Sequence, residues 1–154
     1  MVSLFNGCTG LTSIDLSNGC TTVRRTFNMF RGCTNLISVD MTGWVMNSNE
    51  APEDTFNGCT SLITITGHEN FGFGGVTFVG GMSRMFKDCS SLLTLDTSLW
   101  TLTGVQSMAQ MFSGCTLFNQ DLSSWSVNSV TNCTNFSQGA TSWTLPQPNF
   151  TNCT

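Results

Sequence analysis

Apolar and polar positions follow one pattern along the chain, and the pattern returns about every 25 residues. The first unit, 5–15, reads F-N-G-C-T-G-L-T-S-I-D, and the next, 30–40, reads F-R-G-C-T-N-L-I-S-V-D. A repeat of this length is typical of a solenoid, in which stacked coils share one continuous core. The units start near Phe5, Phe30, Phe56, Phe86, Phe112, Phe136 and Phe150.

Each unit predicts the same succession of local structures. The segment L-x-x-[Ile/Val/Leu]-D alternates apolar and polar residues with β-branched bias, which predicts a short strand, and strands of successive coils lie parallel at ~4.8 Å. The segment V-x-x-M-x-x-M-F has apolar residues at helical or 3₁₀ offsets. We therefore predict one domain, 1–154, of about five to six coils of ~25 residues, with a parallel sheet on one face and short helices, 3₁₀ turns and loops on the other.

Two stretches interrupt the period. Residues 45–55 lose the apolar columns and carry three acids, and residues 67–81 lengthen one coil and are rich in glycine. Such insertions are either tolerated surface bulges or binding loops on one face. The chain also begins and ends inside a repeat, so we expect end-to-end contact with further repeats or with a partner subunit.

Composition excludes several classes of function. Only 9% of the residues are charged, the net charge is −4 and five residues are basic, so a phosphate-binding groove for nucleic acid is not expected. No apolar run approaches the ~20 residues that span a bilayer, and we expect no membrane insertion within this chain. Acid–base chemistry has few candidate residues, and we predict that the chain is not an enzyme.

Six of the eight cysteines share one column of the repeat, which predicts buried, reduced thiols packed as small hydrophobic side chains. Cys133 falls in a methionine column, where burial is also expected. A disulfide between neighbouring coils is the alternative, because their Cα atoms would be ~5 Å apart. The column consists of Cys8, Cys33, Cys59, Cys89, Cys115 and Cys153.

A second column consists of Asp15, Asp40, Asp96 and Asp121, with Thr66 at the missing place. One interpretation is that each carboxylate accepts backbone N–H groups of the turn that follows its strand. The alternative is a ladder of calcium ions, because hard cations prefer oxygen ligands. We expect no other cofactor and no metal site.

A third column, four residues after the aspartates, consists of Trp44, Trp100 and Trp125. Its regular spacing favours packing at a corner of the solenoid. The alternative is a binding stripe, because indole rings stack well on sugars.

At F-x-G-C-[Ser/Thr]-x-L-x-x-[Ile/Val/Leu]-D and at residues 118–132, F-N-Q-D-L-S-S-W-S-V-N-S-V-T-N, the sequence resembles the BspA-like leucine-rich-repeat surface proteins. These include related bacterial surface-lipoprotein repeats with an F-N-Q-D-L-S-x-W signature. The resemblance implies a leucine-rich-repeat-type solenoid displayed outside the cell, on a cell surface or a virion, that acts in adhesion and binds host proteins. It implies no catalytic residues.

Two hypotheses for the function follow. The first is a surface-displayed module that recognises a glycan or a host protein through its strand face. The second is a structural component of a virion fibre, decoration or surface layer, in which the solenoid is a spacer and its ends make the contacts. The candidate ligand-binding residues of the first hypothesis are hydroxyl and acidic side chains: Ser13, Asp15, Ser17, Ser38, Asp40, Thr42, Thr94, Asp96 and Ser98.

Overall fold

The computed structural model describes the residues 3–17, 25–44, 51–67, 80–98, 100 and 102–153. Most of the two irregular stretches, 45–50 and 68–79, lies outside the described residues. The interpretation of these stretches as surface bulges or binding loops therefore falls mostly on residues outside the described ranges.

A parallel sheet forms where L-x-x-[Ile/Val/Leu]-D predicts a strand. Strands β1 (Ser13–Asp15), β2 (Ser38–Asp40) and β3 (Thr64–Thr66) lie side by side in the order of the chain. Their register follows the repeat, so that each aliphatic residue of the middle position faces its counterpart: Ile14, Val39 and Ile65. Val39 and Ile65 are buried and Ile14 is half-buried, while the flanking polar residues face outward. The parallel sheet of a leucine-rich-repeat-type fold is thus present.

A second, smaller parallel sheet lies in the segment before the repeat phenylalanine. Strand β4 (Gly80–Gly81) pairs with β5 (Val105–Ser107), and Ser107 forms a bridge with Asn132 of the next coil. A Cβ atom at Gly81 would lie 2.6 Å from the Ser107 carbonyl oxygen, so the close approach of these two coils requires glycine. The valine that begins the V-x-x-M-x-x-M-F segment of this coil, Val105, thus lies in a strand, where the sequence predicted helical or 3₁₀ structure.

The opposite side of the solenoid consists of turns, which we name the turn wall: residues 3–9, 28–34, 54–60, 84–90, 110–116 and 135–141. The predicted short helices do not occur among the described residues. In each coil two residues, four apart, adopt a left-handed backbone. The first has φ of 54–56° and is Ser3, Asn28, Asp54, Arg84, Gln110 or Asn135; the second is Gly7, Gly32, Gly58, Asp88, Gly114 or Gly139.

These left-handed residues explain why the wall is not helical. Around the left-handed residues, the backbone N–H groups alternate in direction. Some N–H groups donate within their own coil and close a turn, and others point along the solenoid axis and donate to the next coil. The Cys33 N–H donates to the Phe30 carbonyl at 3.0 Å within its own coil, whereas the Phe30 and Gly32 N–H groups donate to the next coil, at Thr55 and Asn57 (2.9 and 2.8 Å). The backbone is therefore satisfied between coils, as in a sheet, although the apolar spacing looked helical.

Behind the turn wall, the phenylalanines form a stack. Successive ring centroids from Phe5 to Phe112 lie 5.3–5.6 Å apart with interplanar angles of 3–17°. The stack ends at Phe112. The Phe86 N–H donates to the carbonyl of Met111 in the next coil, and the Phe112 N–H donates in the same way to the carbonyl of Phe136. Phe136 therefore takes the methionine place of its coil, and its ring meets Phe112 at 75°.

The cysteine column confirms buried thiols in four coils and corrects the prediction in the first. Cys33, Cys59, Cys89 and Cys115 are buried, and each thiol donates to the phenylalanine carbonyl of the preceding coil at 2.9–3.1 Å. Burial raises the pKa of Cys59 and of Cys115 to about 12, so the protonated donor form is favoured. Cys8 is exposed instead, because it lies in the first described coil.

At the other end the prediction of free, buried cysteines is wrong. Cys133 and Cys153 are half-buried and form a disulfide, with Cα atoms 5.8 Å apart. The last half-coil still stacks on the coil before it: the Leu122 N–H donates to Pro146 at 2.9 Å, and the Asn152 side chain donates to the Asn128 carbonyl at 2.7 Å. The Phe150 ring meets Phe136 edge-on, with centroids 5.0 Å apart and an interplanar angle of 70°, so it does not continue the parallel phenylalanine stack.

One ion pair lies in the turn wall. The Arg84 guanidinium donates from Nε to both carboxylate oxygens of Asp54, at 3.0 and 3.1 Å, and its terminal nitrogen donates at 2.7 Å. The Asp54 side chain is 3% exposed and that of Arg84 is 38% exposed. Burial raises the pKa of Asp54, but hydrogen bonds from Arg84 and Asn57 outweigh that effect and hold the pKa below its usual value.

Candidate binding face

The outward side chains of 12–17, 37–42 and 63–66 form one surface, which we name the strand face. The register of β1 and β2 places Ser13 beside Ser38 and Asp15 beside Asp40. The sequence therefore identified a real juxtaposition for these four candidate residues. A shallow depression of about 330 Å³ follows the three strands and also contains Thr64 and Thr66.

The aspartates of this face serve as turn formers. An Asp15 oxygen accepts the Ser17 N–H at 2.8 Å and the Ser17 hydroxyl at 2.6 Å. Asp40 accepts the same two groups of Thr42, at 2.9 and 2.7 Å. The candidate residues Ser17 and Thr42 therefore hold these two carboxylates in position. The hydrogen bonds from the hydroxyl groups contribute most to lowering the pKa of both carboxyl groups, and the hydrogen bonds from the backbone N–H groups contribute next. Both carboxyl groups are therefore charged at neutral pH.

The same turn recurs beyond the sheet. Asp121 accepts the Ser123 N–H at 2.9 Å and hydroxyl at 2.7 Å, and Asp96 accepts the Ser98 N–H at 3.0 Å. The interpretation of the aspartate column as turn-forming carboxylates is thereby confirmed. Within the part of the chain that the structure describes, no three His, Cys, Asp or Glu side chains come together as a set of metal ligands.

Thr66, which the sequence pattern marked as a gap in the aspartate column, contributes to the site. Its side chain hydrogen-bonds Asp40 and adds to the lowering of the Asp40 pKa. A third aspartate at this place would repel Asp40, because like charges on neighbouring strands repel each other. A threonine can instead donate a hydrogen bond to the Asp40 carboxylate.

Three candidate residues of the fourth coil stand apart. Thr94, Asp96 and Ser98 are exposed, as predicted. However, no strand ladder joins β3 to residues 94–96 in the described ranges. The structure therefore brings together the candidates of the first two coils but does not extend the sheet to those of the fourth.

Sequence reasoning missed a row of exposed aliphatic side chains. Ile37, Ile63 and Leu93 occupy the same place in three successive coils, directly after the buried leucine, and are 46%, 48% and 50% exposed. The Ile63 N–H donates to the Ile37 carbonyl at 2.9 Å, so the first two are neighbours across the sheet. The signal in the sequence was an apolar residue where strict alternation calls for a polar one.

The tryptophan column packs at the corner of the solenoid. Trp44 is buried and its indole N–H donates to the Leu16 carbonyl of the preceding coil at 2.9 Å. Trp125 is buried and donates to the Thr97 hydroxyl at 3.3 Å. Corner packing is thus confirmed for these two, while Trp100 is only half-buried.

No helix among the described residues has the length and apolar character that crossing a membrane requires.

Comparison with known protein families gives two matches that together cover most of the chain. A family described as "BspA type Leucine rich repeat region (6 copies)" matches residues 2–97. A family described as "Mycoplasma protein of unknown function, DUF285" matches residues 73–151. Among curated proteins and among solved structures, nothing matches the chain.

Proposed function

The chain belongs to the BspA-type leucine-rich-repeat family, and we propose that it is a non-enzymatic binding module, displayed on a surface, that holds a protein segment against its strand face. Repeat families of this kind are used as interaction modules, because stacking creates extended surfaces on a continuous core. The proposal fits a chain with few residues suited to acid–base chemistry.

The observation that carries the proposal is the exposed aliphatic row of Ile37, Ile63 and Leu93, which precedes the strand positions, together with the carboxylates of Asp15 and Asp40 at the ends of β1 and β2. Exposed aliphatic groups gain about 1 kcal/mol each when a partner covers the exposed half of the side chain. The carboxylates of Asp15 and Asp40, at the other end of these strands, favour a partner that also carries cationic side chains. We therefore expect an extended segment in which apolar residues alternate with lysine or arginine.

The scaffold beneath the row reduces the cost of binding. Ser17 and Thr42 hold the two carboxylates at the end of their strands, and the side chains of Val39 and Ile65 are buried beneath the face. A surface that is already ordered loses little conformational entropy on binding.

A library of random 12-residue peptides displayed on phage tests this proposal. We expect selected peptides to combine apolar with basic residues, and the double variant Ile37→Ser, Ile63→Ser to bind them at least tenfold more weakly. Leu117→Ser is a matched control, because Leu117 is 49% exposed but directly precedes the buried Phe118 and so lies outside the column of Ile37 and Ile63. Selection of no peptide, or equal loss in the control, would contradict the proposal.

A structural role is the second candidate, and the exposure of Leu4 (52%) and Cys8 in the first described coil favours it. In that role the end coils make the contacts and the solenoid is a spacer. Light scattering after size-exclusion chromatography distinguishes the two: growth of the mass with concentration that Leu4→Ser abolishes supports assembly through this coil. A constant monomer mass contradicts it.

A further inference from the structure

A cleft opens at the tryptophan corner between the fourth and fifth coils, away from the three paired strands. Its volume is about 320 Å³, at the small end of the range of ligand-binding cavities. Eight residues of two neighbouring coils line it: Thr97, Ser98, Trp100, Leu102, Thr103, Ser124, Trp125 and Ser126.

The floor of the cleft is aromatic and held in place. The Trp100 and Trp125 rings stack with their centroids 5.6 Å apart, and each lies against a phenylalanine of the central stack, Phe86 or Phe112, at 6.5 and 6.4 Å. Trp125 is further fixed by its hydrogen bond to Thr97. The indoles are therefore in position before any ligand arrives, which reduces the entropy lost on binding.

The rim of the cleft consists of hydroxyl groups. Ser98, Thr103, Ser124 and Ser126 are exposed around the half-buried Trp100. The hydroxyls of Thr103, Ser124 and Ser126 form no hydrogen bond within the part of the chain that the structure describes. Each can donate and accept, so the rim offers both halves of a hydrogen bond to a ligand.

The chemistry of the lining restricts the ligand. No charged side chain is among the eight lining residues, so nothing in the lining compensates the charge of a phosphate, a metal ion or an ionic peptide side chain. A ligand that matches hydroxyls at the rim and indoles below is neutral, rich in hydroxyl groups and apolar on its C–H faces. A pyranose ring has these properties.

We propose that this cleft binds one neutral sugar ring, with the hydroxyls of Ser124 and Ser126 hydrogen-bonding the sugar hydroxyls and Trp100 contacting its C–H groups. The site goes beyond the proposed protein-segment function, because it uses other coils and other side chains. Ser98, which the sequence pattern assigned to the strand face, belongs to this cleft. Trp44, at the same corner of an earlier coil, is 2% exposed and offers no comparable contact.

An array of immobilised oligosaccharides with neutral, sialylated and sulfated termini tests the proposal with the whole chain. We expect binding to a set of neutral termini, and about tenfold weaker binding by the double variant Ser124→Ala, Ser126→Ala, because two hydrogen bonds are lost. Ser13→Ala, Ser38→Ala is the matched control, since it removes two hydroxyls from the strand face. It should leave the array signal unchanged.

Trp100→Ala should abolish the array signal, and a thermal melt establishes whether this variant is folded. If it is not, the exposed serine variants still decide the result. No bound glycan, binding of sulfated or sialylated glycans alone, or equal loss in both serine variants would overturn the proposal. The phage peptides that report on Ile37 and Ile63 are measured separately, so failure of the sugar site leaves the protein-segment function standing.

Discussion

The turn wall and the strand face are built from the same repeat, but they use it differently. In the wall, the second to fifth coils repeat the same buried phenylalanine and thiol, and many of their backbone N–H groups bond either within the coil or to the next coil. On the face, the register is equally regular, yet the exposed place after the leucine varies from Thr12 to Ile37, Ile63 and Leu93. The difference indicates that packing between coils restricts the residues of the wall more than the exposed residues of the face.

The largest expected loss of stability comes from a substitution in the turn wall. Phe56→Ala removes a fully buried ring from the middle of the stack and should lower the free energy of unfolding by about 3–5 kcal/mol. Ile63→Ala, seven residues later but 48% exposed, should cost less than about 1 kcal/mol. Urea titration measures both, and similar costs would show that face and wall contribute alike to stability.

The next effect concerns the closure of the last coil. The Cys133–Cys153 disulfide spans a sequence separation of 20, and the double variant Cys133→Ser, Cys153→Ser should lose about 3 kcal/mol of unfolding free energy. Binding at the strand face should stay unchanged, because Ile37 and Ile63 belong to distant coils. The matched control is Cys8→Ser, at an exposed free thiol, which should melt as the parent does.

A smaller effect comes from the one ion pair in the described wall. Because the folded state lowers the Asp54 pKa, this carboxylate stabilises the protein above about pH 4 and loses that contribution as the pH falls through the lowered pKa. Asp54→Asn should cost about 2 kcal/mol at pH 7, since Arg84 is partly exposed, and much less at pH 2. Melting curves from pH 2 to pH 7 measure this, and a cost that is independent of pH would show that the charge is not responsible.

Some features could be predicted because they depend on neighbouring residues or on the repeat itself. Asp15 needs only Ser17 to form its turn, and the strand register follows once each coil has the same length. The four buried thiols, Cys33, Cys59, Cys89 and Cys115, also follow, since residues of one column share one environment where a coil has a neighbour on both sides.

Other features depended on information outside the local pattern. The methionine and valine spacing fits a helix, but most coils have a glycine just after the repeat phenylalanine, which permits the left-handed backbone of a turn. The disulfide was not predicted because Phe150, followed by Cys153, resembles the start of a new unit. The repeat length instead relates Phe150 to Trp125, which precedes it by 25 residues. The row of Ile37, Ile63 and Leu93 was visible, but alternation alone does not show which of two adjacent apolar residues turns outward.

Hydrogen exchange of the chain with and without a phage-selected peptide tests the central claim most directly. We predict protection confined to residues 12–15, 37–42 and 63–66, with the turn wall unchanged because its backbone is already bonded between coils. Protection concentrated in the first coil, at 3–9, or at the last, near 150–153, would contradict a function located on the strand face.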